Sequence, residues 1–140
     1  MGADLYIEKM DREGQYFGFE VSDRAIEAGY FRDCYNNFGL FSVMSNTLNE
    51  TISWWKMADE VGLKKGILPF EKVKEWKKRM FSLLEKFNKQ TKIYHANYET
   101  KAKDKINDPK EIKEYHAWAD KLMRFIDLAI EKESGIIWSV

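Results

Sequence analysis

The chain has 140 residues, two prolines and a 44% hydrophobic, 33% charged composition, a mix that is globular rather than disordered. That length supports one domain with a real core, residues 1–140, and leaves no room for two comfortable ones. Lysine plus arginine equals aspartate plus glutamate, so the net charge is zero and no overall excess of positive charge points to nucleic acid.

Leu5 and Ile7 alternate with Asp4, Tyr6 and Glu8, which predicts a short strand over 3–8. A turn containing Gly14 follows, and Phe17, Phe19 and Val21 alternate again, completing an N-terminal hairpin. Ser22 or Asp23 caps a helix that Gly29 breaks. From Tyr30 the spacing of Phe31, Cys34, Tyr35 and Phe38 predicts a second helical piece ending at Gly39. Arg32, Asp33, Asn36 and Asn37 take its opposite face. A longer helix is predicted from Leu40 to Ala58, striped by Phe41, Met44, Leu48, Ile52 and Trp55.

Residues 62–68 read as a loop, and Pro69 opens a helix carrying Val73, Trp76, Met80, Leu83 and Phe87. That spacing approaches a heptad seam and predicts a helical partner along this side. Residues 91–107 are the least regular part. Asp108, Pro109 and Glu111 then mark a clear helix start, and Gly135 stops the helix. The tail, Ile136 to Val140, reads as a strand that pairs with the first hairpin. The expected fold is mainly α with some β: a bundle of about four helices joined by a small sheet from the N-terminal hairpin and the C-terminal strand.

One cysteine, Cys34, excludes an internal disulfide and fits a reducing cytoplasm. The start of the chain carries neither a basic leader nor an apolar run, and no stretch approaches the roughly 18 apolar residues of a membrane helix. Cys34 falls on the apolar side of its predicted helix and reads as a packed thiol rather than a nucleophile. His95 and His116 are the only histidines and lack partner ligands, so no metal is expected. No phosphate loop or hydrolase elbow is present, no cofactor is implied and no catalytic residue is assigned.

Two surfaces carry the functional expectation. On the predicted helix from Tyr30, the quartet Arg32, Asp33, Asn36 and Asn37 combines a guanidinium, a carboxylate and two amides, flanked by Tyr30 and Trp54. Such a set recognises polar ligands through directional bonds, and it serves equally as a buried polar knot. The second surface comes from charge asymmetry. Residues 1–63 hold five basic and eleven acidic side chains, whereas residues 64–92 hold ten and three. Lys72, Lys77, Lys78 and Arg79 with Trp76 could therefore meet a phosphate backbone and stack on a base. The acidic first part could also dock on this helix in another copy.

Ala3 to Ile7, Tyr30 to Asp33 with Tyr35 and Asn36, Ser53-Trp54-Trp55 and the ending Trp138-Ser139-Val140 resemble a family of small phage and prophage proteins. Members open with Met-Gly-Ala-Asp-Leu-Tyr-Ile and carry Tyr-Phe-Arg-Asp-Ser-Tyr-Asn; here Cys34 replaces the serine. The resemblance implies a viral or mobile-element origin and no established activity. The leading expectation is a non-enzymatic, cytoplasmic interaction protein that binds a host or viral protein. The alternatives are a nucleic-acid-binding accessory protein using residues 64–92, or a small enzyme centred on Arg32, Asp33 and Asn36.

Overall fold

A computed structural model describes residues 2–10, 22–97, 99 and 102–140. The hairpin strand expected at 16–21 lies outside them. Strand β1 (Gly2–Ile7) alternates as expected, with Ala3, Leu5 and Ile7 turned into the core. Helix α1 (Asp23–Glu27) is capped by Ser22, whose hydroxyl accepts from the Ala25 N–H, and it ends before Gly29 at φ +82°. That left-handed turn sends the chain back along β1.

Residues 30–34 form a strand and not a helix. β2 (Tyr30–Cys34) pairs antiparallel with β1, matching Ala3 to Asp33 and Leu5 to Phe31. A charged residue at an inward position hides the two-residue period. Phe31 and Asp33 point in while Arg32 and Cys34 point out, so the apparent helical spacing through Cys34 and Phe38 was coincidental.

The long helix expected over 40–58 is two helices, α2 (Leu40–Leu48) and α3 (Trp54–Val61). Asn49 takes the left-handed conformation that ends α2, and the Ser53 hydroxyl caps α3 by accepting from the Lys56 N–H. The expected loop at 62–68 contains a two-residue strand, β3 (Ile67–Leu68). α4 (Phe70–Asn88) follows, with Pro69 as its N-cap residue. A small hairpin, β4 (Tyr94–Ala96) with β5 (Lys103–Lys105), orders part of the 91–107 region. α5 (Pro109–Glu131) starts at Asp108, whose carboxylate accepts from the Lys110 N–H. β6 (Ile136–Ser139) then pairs with β1.

The fold is therefore α+β, with five helices among the described residues rather than about four. Its main sheet is antiparallel in the order β2-β1-β6-β3. The two ends of the chain meet at its centre. One sheet face and the seam side of α4 and α5 enclose the core. Val73, Trp76, Met80, Leu83 and Phe87 meet Ala119, Leu122, Phe125 and Ala129 there. Trp54, Trp76 and Trp138 cluster inside it, with Trp76 and Trp138 ring centroids 4.7 Å apart and Trp54 edge-on to Trp138 at 5.6 Å.

Candidate functional site

Because β2 is a strand, Arg32 and Asp33 lie on opposite sides of the sheet. Asp33 is completely buried and its carboxylate accepts four N–H donors. Oδ1 takes Cys34 N and Leu40 N at 2.7 Å, and Oδ2 takes Phe41 N at 3.0 Å and Trp54 Nε1 at 2.7 Å. Two of those donors are the first free amides of α2, a helix whose own N-cap, Gly39, offers no side chain. Asp33 thus caps α2 from a neighbouring strand. Burial pushes its carboxyl above the ordinary range, while the Trp54 indole and three amides pull it back. A carboxylate so enclosed reaches no substrate.

On the outer face Arg32 Nη1 donates to Asp4 Oδ1 at 2.6 Å and the Tyr30 hydroxyl donates to the same oxygen at 2.5 Å. The Arg32–Asp4 pair is mostly covered. Burial, then the Asp4 carboxylate it bonds, holds the Tyr30 phenol well above its ordinary value. Trp54, expected as a flanking ring, is stacked on Phe41 at 3.9 Å inside the core.

The two amides go elsewhere. Asn36 is exposed and closes a tight turn by accepting from Phe38 N at 2.9 Å. Asn37 Nδ2 donates to Ala96 O at 2.8 Å, tethering the turn to β4. The predicted quartet is therefore dispersed: one member in the core, one on the outer sheet face and two in the turn. Cys34 is half-buried on the outer face, not on an apolar helix face. Burial and the nearby Asp33 carboxylate raise its thiol, the opposite of activation.

What gathers around residues 35–38 is aromatic. Tyr35 lies 4.5 Å from Trp55, and Phe38 lies 4.6 Å from the His95 ring. The Tyr115 hydroxyl donates to Phe38 O at 2.6 Å, and Trp118 Nε1 donates to Arg32 O at 3.1 Å, covering the open edge of β2. Trp55 is 55% exposed and Phe38 54%, flanking the same turn. Sequence reasoning missed this rim. Trp55 and Phe38 sat on predicted core stripes, and Tyr115 shares a helix face with buried Ala119. A cap signal at Ser53 was the available clue, since it resets the helix phase and turns Trp55 outward.

The basic helix is dispersed in a similar way. Trp76 is fully buried and offers no ring to a base. Lys77 pairs with Asp127 at 2.7 Å on one flank, and Arg79 pairs with Glu60 at 3.4 Å on the other. Lys72 and Lys78 remain exposed. Among the described residues, no group of three or more histidine, cysteine, aspartate or glutamate side chains could hold a metal. No described helix is long and apolar enough to cross a membrane. Comparison with family models, curated proteins and solved structures returns no match to this chain.

Proposed function

We propose that this chain is a non-enzymatic interaction protein of phage or prophage origin, acting in the host cytoplasm by binding a host or viral protein. The observation that carries the reading is the pair of half-exposed rings at the turn after β2, Trp55 against Tyr35 and Phe38 against His95. Tyr35, Tyr115 and Trp118 back them. Tryptophan and tyrosine are enriched among residues that dominate binding energy, and a rigid aromatic gives contact area at low entropic cost. The closed Asp33 site withdraws the carboxylate on which an enzymatic reading centred. The viral origin rests on the sequence resemblance alone.

The test is capture from host or phage lysate by immobilised protein. The wild-type chain should retain a defined partner that the folded double variant Trp55→Ala, Phe38→Ala loses. Retention of the same partner by that variant would sink the proposal.

A further inference from the structure

The outer side of α4 and the groove between α1 and α5 carry complementary chemistry. The groove is a cleft of about 410 Å³ lined by Ile26, Glu27, Arg124, Asp127, Leu128 and Glu131. Ile26 and Leu128 supply an apolar floor. Asp23 holds Arg124 at 2.5 Å and Lys77 holds Asp127 at 2.7 Å. Glu27 and Glu131 are therefore the rim carboxylates left without a cation among the described residues.

α4 presents the counterpart. Phe81 is 55% exposed, a lone large ring on a charged helix face. Lys78 precedes it by one turn and Lys74 by two, so all three share that face. Lys78 has no ion-pair partner among the described residues, and Lys74 stands 4.6 Å over the Phe70 ring. An apolar knob following two lysines on one helix face matches an apolar floor rimmed by two glutamates.

The Lys77–Asp127 pair sits between these features, its lysine on the α4 flank and its aspartate on the groove wall. A two-fold axis running past that pair brings each copy's Phe81 to the other's groove. A self-complementary patch repeated by a two-fold axis is the commonest way a soluble chain closes on itself. We infer that this chain forms a symmetric dimer, with Phe81 seated between Ile26 and Leu128 of the second copy and Lys74 and Lys78 facing its Glu27 and Glu131. This contact is independent of the aromatic rim, and Trp55→Ala leaves it unchanged.

Sedimentation velocity over a concentration series tests it. Wild-type protein should dimerise in low salt and weaken as salt screens the charges. Phe81→Ser should weaken association at least about tenfold, the scale of losing an anchoring ring. The double reversals Glu27→Lys, Glu131→Lys and Lys74→Glu, Lys78→Glu should each be monomeric alone and dimerise when mixed, because both contacts then pair opposite charges again. A wild-type chain that stays monomeric in low salt overturns the inference, as does a dimer indifferent to these substitutions. If either reversal fails to fold by circular dichroism, the salt series and Phe81→Ser still decide the matter.

Discussion

Asp33 shows how one side chain can organise three elements. It lies on β2, satisfies the first amides of α2 and anchors the indole of Trp54 at the start of α3. Removing a carboxylate from such a setting leaves buried donors with no acceptor, which costs more than the bonds themselves are worth. Asp33→Ala should lower the unfolding free energy by about 3–5 kcal/mol, read from urea denaturation. Asp33→Asn, which keeps the shape but turns one acceptor into a donor, should recover only part of that loss. A change under about 1 kcal/mol for the alanine variant would show that water replaces the carboxylate at no great cost.

At the scale of elements, helix ends and strands with clean alternation were legible, and elements with a buried charge were not. Ser22, Asp108 and the Pro69 region marked helix starts, β1 showed in its alternation and β6 in the apolar tail that follows Gly135. β2 failed because an inward aspartate breaks the apolar pattern that a reader of strands relies on. The single long helix failed because Asn49 and Ser53 were overlooked as a stop and a start. That error exchanged the two tryptophans: Trp54 went to the surface and Trp55 to the stripe, the reverse of what Ser53 imposes. The turn that follows β2 is constrained by contact rather than by dihedral angle. A Cβ on Gly39 would lie 2.1 Å from the Cys34 carbonyl oxygen. Gly39→Ala must therefore push the turn open, with an expected loss of roughly 1–3 kcal/mol, the scale of overpacking. The same substitution displaces Phe38 and should weaken partner capture more than Trp55→Ala alone. Unchanged melting and unchanged capture would count against so tight a turn.

At the scale of the molecule, the covered tyrosines make folding sensitive to alkali. Burial leads the causes for both Tyr30 and Tyr115; the hydrogen bond to Asp4 adds to it at Tyr30, and the Glu111 charge at Tyr115. Both phenols ionise later in the folded state than in the unfolded chain. The stability this gives is complete below the unfolded value of about 10 and is lost as pH rises through the folded value. In an ultraviolet titration, Tyr30 and Tyr115 should ionise above the unfolded-chain value of about 10, together with loss of the circular dichroism signal. Asp4→Asn should let Tyr30 ionise earlier, whereas ionisation of Tyr30 and Tyr115 at the unfolded value with the fold intact would contradict their enclosure.

The placement of β1 between β2 and β6 sets an order of events during synthesis. A ribosome delivers β1 long before β6, so the strand at the centre of the sheet waits through all five described helices before its second neighbour exists. Until residues 136–139 emerge, β1 and β2 present an open hydrogen-bonding edge, and Trp76 lacks the ring of Trp138 that covers it. A nascent chain halted before that point would be a sticky intermediate, so the segment 136–139 decides whether this molecule closes on itself or on its neighbours.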